Sequence, residues 1–173
     1  MTTALLVIDI QRALTDYLDP VRRAGFLETV AALLERARGA DVPVVYVRHN
    51  DDELRLGTQE WDIAGEIAPR PGEPIVDKTF RDAFRETDLD EVLARLDADH
   101  VVVCGMQTEF CVDATIREAD RRGYRVTLVE DAHATYPADG ATEEQIRAQV
   151  HRVARGRVAA IVPAAELFDP AVR

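Results

Sequence analysis

The sequence predicts a three-layer α/β/α fold on a six-stranded parallel sheet, and two observations carry that prediction. Short continuous apolar runs, such as ALLVI and VVV, mark strands buried on both faces, as in a parallel sheet. Amphipathic stretches alternate with these runs along the whole chain, with no internal repeat, low-complexity tract or linker. At 173 residues the chain has room for one domain, 1–173, with a sizeable core.

Residues 4–10, ALLVIDI, form the first strand, with one carboxylate inside an apolar run. Burying an unpaired carboxylate is costly, so Asp9 is expected at the strand's end with a partner. It either caps the turn into the next helix or belongs to a site. Gln11 beside it can hydrogen-bond backbone or ligand. Residues 20–39 form an amphipathic helix with Phe26, Val30, Leu33, Leu34 and Ala37 on one face. Residues 43–47, PVVYV, form the second strand.

Residues 49–72 carry no sustained period and read as a lid, binding loop or interface arm. Trp61 within it is the only tryptophan, a pocket wall, an interface residue or a loop anchor. Residues 73–84 hold a short strand ending at Asp77–Lys78, with Phe80 and Phe84 spaced as on one helical face. A helix follows over 89–96, capped by Thr87 or Asp88.

The central feature is residues 100–123, HVVVCGMQTEFCVDATIREADRRG. A buried strand is broken by Gly105, and Thr108 stands at the N-cap of a helix that Gly123 ends. Cys111 falls in the first turn, just beyond a strand's carboxyl end, where α/β sheets bind ligands. A helix start also acidifies a thiol, so a reactive thiolate is expected. The plainer reading, a small buried apolar side chain, applies to Cys104 and also fits Cys111 taken alone. A fifth strand over 125–130 ends at Asp131, a helix over 141–155 is opened by Thr142, and a sixth strand spans 158–162. Residues 165–168 form a terminal turn.

A net charge of −11 argues against nucleic acid and anionic membranes as partners. No signal peptide and no membrane-length apolar run is read, and two cysteines fit free thiols in a cytoplasm. Of 21 basic residues, all but Lys78 are arginine. A lone lysine is either a chance surface charge or a position that needs a compact ammonium. Asp9, Lys78 and Cys111 all fall at carboxyl ends of parallel strands, so one crevice can gather a carboxylate, an ammonium and a thiol.

The segments LLVIDIQ, VDKTFRDAF and VVCGMQTEFCVDATIREADRRGYRVTLVEDA resemble the three signature blocks of the isochorismatase-like cysteine hydrolases. These include nicotinamidases, N-carbamoyl amidases and related amide and lactam hydrolases. The resemblance covers essentially the whole chain, and its G-x-x-T-x-x-C core is specific. It implies Asp9 as general base, Lys78 as the triad lysine and Cys111 as nucleophile. It also implies a cis Met106–Gln107 peptide, an oxyanion hole from the Gln107 and Cys111 backbone N–H groups, and a homodimer or larger homo-oligomer. True isochorismatases cleave a vinyl ether without the cysteine, so its presence favours C–N hydrolysis of a small amide, lactam or carbamoyl compound. Nicotinamidases carry Asp-x-His and a further histidine as metal ligands. RHNDDELRLG lacks that spacing, and His49, His100, His133 and His151 are scattered, so neither a metal nor another cofactor is expected. Gln11, Trp61, Phe80 and Phe110 are candidate pocket walls. The rivals are a non-catalytic interaction module of the same fold, a vinyl ether hydrolase, and a thiol redox protein using Cys104 and Cys111, which lack C-x-x-C spacing.

Overall fold

The first apolar run lies at the sheet's centre because it has no polar face to give to water. In the computed structural model, which describes residues 2–168, β1 is Thr2–Ile8, and Ala4 through Ile8 are buried. It pairs in parallel with β2 (Val44–His49) on one side and β4 (Ala98–Met106) on the other. Outside these lie β3 (Ile75–Lys78), β5 (Arg125–Ala134) and β6 (Ala160–Val162), giving the order β3-β2-β1-β4-β5-β6 with every pairing parallel. The expected six-stranded parallel sheet is present. The chain winds outward from β1 to β3, then from β4 to β6 in the opposite direction. That reversal opens a crevice at the carboxyl ends of β1 and β4.

Helices cover both faces. On one, α2 (Pro20–Gly39) buries Phe26, Leu27, Val30, Leu33, Leu34 and Ala37 against Leu5, Val7 and Val102. It starts sharply because Asp19 accepts the N–H groups of Val21 and Arg22 and proline holds the first helical position. A short α1 (Arg12–Asp16) precedes it and leaves no periodicity in the sequence. The other face carries α3 (Leu89–Arg95), α4 (Asp113–Arg121) and α5 (Glu143–Ala154) over a core that includes Leu93, Ile116, Ala119 and Ala154. Thr142 opens α5 through a capping box with Gln145. Among the described residues no helix is long and apolar enough to cross a membrane.

Three local expectations are corrected. First, β5 does not end at Asp131. Its register against β4 shifts after Val103, and pairing resumes with Gly105 opposite His133 and Met106 opposite Ala134. Second, Phe80 and Phe84 share no helical face, since residues 79–88 are turns. Asp82 accepts the Phe84 N–H (2.9 Å) and Thr87 bonds the Ala83 carbonyl (2.6 Å), which closes turns instead of a helix. Phe84 joins the core beside Tyr124, while Phe80 lies under the Arg85 guanidinium. Third, Gly105 does not break the strand: β4 runs on to Met106 with Gly105 opposite Ile8, and glycine there is a steric requirement. Its φ is +135°, and a Cβ there would stand 2.0 Å from the Ile8 carbonyl oxygen. Only glycine lets β4 approach β1 so closely.

Candidate active site

The sheet edge gathers residues that are distant in sequence. Asp9 follows β1 directly, turned to φ +50°, with its N–H held by the Val47 carbonyl at 2.9 Å. Lys78 is the last residue of β3, and its carbonyl accepts the backbone and side-chain N–H groups of Asn50 at 2.9 and 3.0 Å. Cys111 lies between β4 and α4 in a π-helical turn, Thr108–Val112. The Met106–Gln107 peptide before that turn is cis.

Lys78 Nζ lies 2.7 Å from Asp9 Oδ2, with both side chains almost wholly excluded from solvent (0% and 1% exposed). The same nitrogen lies 3.4 Å from Cys111 Sγ and 3.3 Å from His49 Nδ1. An ammonium has three protons to donate, and here it has two hydrogen-bond partners, His49 and Cys111, and one ion-pair partner, Asp9. His49 Nε2 in turn lies 3.1 Å from Asp51 Oδ2, so a neutral ring donates there and accepts from Lys78 at Nδ1. Asp9 and Lys78 are an ion pair by distance. The angles nonetheless leave both Asp9 oxygens without a directed hydrogen bond, so lone pairs remain for a proton.

The expected acidic thiol is not found. Burial, then the Asp9 charge, pushes the Cys111 thiol up to about 12, and Lys78 only partly opposes this. The helix start cannot compensate, because Cys111 sits inside the π turn and α4 begins two residues later, at Asp113. Nor does Thr108 cap the helix: Gln107 holds the N-cap position without a side-chain bond, and the Thr108 hydroxyl turns to His133. The resting group is therefore a thiol that needs a base to become a nucleophile.

Burial also pushes the Cys104 thiol up to about 12, so acidity cannot separate the two cysteines. Access can. Cys104 is fully buried, 3.6 Å from the Leu6 carbonyl, whereas Cys111 opens on a cavity. Iodoacetamide in mildly alkaline solution is expected to label Cys111 in the native protein and Cys104 only after unfolding. Equal labelling of both would contradict this placement.

That cavity has a volume of about 360 Å³. Asp9, Cys111, Gln107, Met106 and His49 line it from the sheet edge, and Asp51 and Leu54 from the irregular segment after β2. Of the four sequence-predicted walls, only Phe110 lines it, with the Arg81 guanidinium stacked 4.3 Å from its ring centroid. Gln11 is instead a buried clamp. Its amide donates to the His49 and Trp61 carbonyls (2.9 and 2.7 Å) and accepts the His49 N–H (2.8 Å), tying β2 to the loop. Trp61 is buried beneath the Arg48 guanidinium and anchors that loop, and Phe80 does not reach the cavity. Sequence reasoning missed His49, Asp51 and Arg81. His49 ends β2 opposite Lys78 at the end of β3, a pairing seen only in the structure. Among the described residues, no three His, Cys, Asp or Glu side chains are grouped to hold a metal.

The family model of the isochorismatase domain matches residues 3–160. The chain is 38% identical over 137 residues to a streptothricin hydrolase of Streptomyces noursei, covering 77% of this chain and 54% of that protein. It is 33% identical over 150 residues to nicotinamidase 3 of Arabidopsis thaliana, covering 77% and 73%. It thus spans about half the length of the streptothricin hydrolases it matches. The crystal structure of a cysteine hydrolase from Pseudomonas syringae pv. phaseolicola 1448A superposes with a TM-score of 0.87 at 28% identity, covering 96% of this chain and 90% of that one.

Proposed function

The chain belongs to the isochorismatase family, and from that premise we propose that it hydrolyses a C–N bond of a small amide, lactam or carbamoyl compound through a thioester on Cys111. One observation carries the reading: a fully enclosed ammonium joins a carboxylate to a thiol at the floor of an open cavity. Asp9 takes the Sγ proton as Cys111 attacks the carbonyl carbon, and a C–S bond forms. The carbonyl electron pair moves to oxygen, which the Gln107 and Cys111 backbone N–H groups would receive. Within the turn, Phe110 and Val112 both donate to the Gln107 carbonyl at 3.2 Å, which shapes the loop around the intervening Cys111 amide.

Collapse of the tetrahedral species breaks the C–N bond, and Asp9 passes its proton to the leaving nitrogen. Asp9 then removes a proton from water, which attacks the thioester. The acid departs, and the proton held by Asp9 returns to Sγ. Lys78 stays an ammonium throughout, offsetting first the carboxylate and then the sulfur. The two curated relatives, a streptothricin hydrolase and a nicotinamidase by name, support C–N chemistry.

The test is to offer a panel of amides, lactams and N-carbamoyl amines, quench with acid during turnover, and weigh the Cys111 peptide. An acyl adduct on Cys111, with amine or ammonia released, is expected. Turnover with no adduct would reject the thioester. A panel left entirely unreacted would favour the non-catalytic module.

A further inference from the structure

A second buried polar chain meets the Cys111 turn away from the cavity. Thr108, fully buried at the head of the turn, shares a 2.8 Å hydrogen bond with His133 Nδ1. His133 Nε2 lies 2.7 Å from His151 Nε2, with the rings edge-to-face at 4.9 Å between centroids. His133 is buried on β5, while His151 on α5 is partly exposed. None of the three lines the cavity that holds Cys111.

A bond between two Nε2 atoms needs one proton, so one ring donates and the other accepts. With both rings neutral there are two directions. In the first, the Thr108 hydroxyl donates to His133 Nδ1 and the His133 Nε2–H donates to His151, so the buried donors are all used. In the second, His151 donates to His133, and the His133 Nδ1–H donates to the Thr108 oxygen. The Thr108 proton then loses this acceptor while the side chain is fully buried, which is unfavourable. The first direction is therefore the neutral arrangement. A proton on His151 Nε2 occupies the lone pair that accepted, and only the second direction keeps the contact.

We propose that Thr108, His133 and His151 form a positioning relay, through which the proton occupancy of His151 near the surface sets how firmly the turn carrying Gln107 and Cys111 is held. Its importance rests on the reading of Cys111 as nucleophile. The surrounding charges set its working range. His151 is faced by Arg147 and Arg155 from its own helix and its C-terminal cap, and by Glu130 from β5. His133 is faced by Arg147 and His151. Around them stand Asp131 on β5, Arg22 on α2 and Glu143 on α5, and Glu109 in the turn accepts the Thr135 hydroxyl at 2.9 Å. Burial and the arginines hold both rings neutral, so the relay sits in its first direction at neutral pH and reverses only below the ordinary histidine range.

Imidazole ¹⁵N shifts followed through a pH titration test the relay directly in the wild-type protein. His133 is expected to carry its proton on Nε2 near neutrality and to move it to Nδ1 as His151 titrates. A His133 tautomer that does not respond to His151 overturns the proposal. The link to the turn is read with 4,4′-dithiodipyridine, which reports Cys111 reactivity without a substrate. His151→Gln can still accept from His133 but cannot titrate. Wild type and variant are expected to react alike at about pH 8, and the wild type about fivefold more slowly at about pH 5, the low end of typical site-to-site coupling. A rate ratio constant with pH overturns the link. If no acyl-Cys111 species is ever trapped, the assigned function fails, whereas the shifts and the rate ratio still decide the relay.

Discussion

Asp9→Asn is expected to lower turnover about a thousandfold while making Cys111 react faster with iodoacetamide, two readouts that move in opposite directions. Turnover falls because a thiol held near 12 has lost the carboxylate that meets the ammonium beside it, and a positioned base contributes about 10²–10⁴ in rate. Thiol reactivity rises because the Asp9 charge is, after burial, the largest influence holding the proton on sulfur. Removing that charge leaves burial as the main opposition to Lys78 in stabilising the thiolate. The variant should also melt earlier, since an ammonium almost wholly excluded from solvent loses its counter-ion, a change that costs about 3–5 kcal/mol in buried pairs. Steady-state kinetics, alkylation rates and a thermal melt on one preparation check all three. Turnover close to wild type would place the base elsewhere, and slower alkylation would show that Asp9 helps the thiolate form instead of opposing it.

Lys78→Arg is expected to cost about a hundredfold in turnover, although the charge is kept. The ammonium meets Asp9 at 2.7 Å, His49 at 3.3 Å and Cys111 at 3.4 Å from a single nitrogen. A guanidinium presents its donors in one plane from a bulkier head, so it cannot meet three partners arranged around one point. Displacing Asp9 or Cys111 by about an ångström is enough for a loss of that size. Full enclosure of the side chain adds a cost in stability of about 1–3 kcal/mol, the usual penalty for overfilling a packed site. Turnover and melting temperature measured together separate the two effects. An arginine variant with full activity would reduce Lys78 to a generic charge and remove the triad as a unit.

Much of this site was legible because each of its three residues broke a local pattern. Asp9 interrupts an apolar run, Lys78 is the one lysine among arginines, and Cys111 follows an apolar run that Gly105 interrupts. The residues beside them broke none. Arg81 looks like any surface arginine until its guanidinium is seen over Phe110 at the cavity. His49 looked like a stray histidine because metal-ligand spacing was the only signal available for it. Gln11 and Trp61 stand out in the sequence for a different reason from the one expected, since they build the loop that shapes the cavity and do not line it.

The sequence by itself determined the layer architecture, the parallel sheet, the span of α2 and the three residues at the sheet edge. These follow from apolar periodicity and from where strands stop, both of which are local properties of the chain. Only the tertiary structure decided the protonation of Cys111, because burial and a neighbouring carboxylate outweigh the pull of a helix start, and neither is encoded near residue 111. It also decided that Thr108 turns from capping to His133. A register shift between β4 and β5 carries a polar segment past its expected end and sets an imidazole beside the turn. Such shifts depend on how two distant strands pack, so no window of sequence contains them.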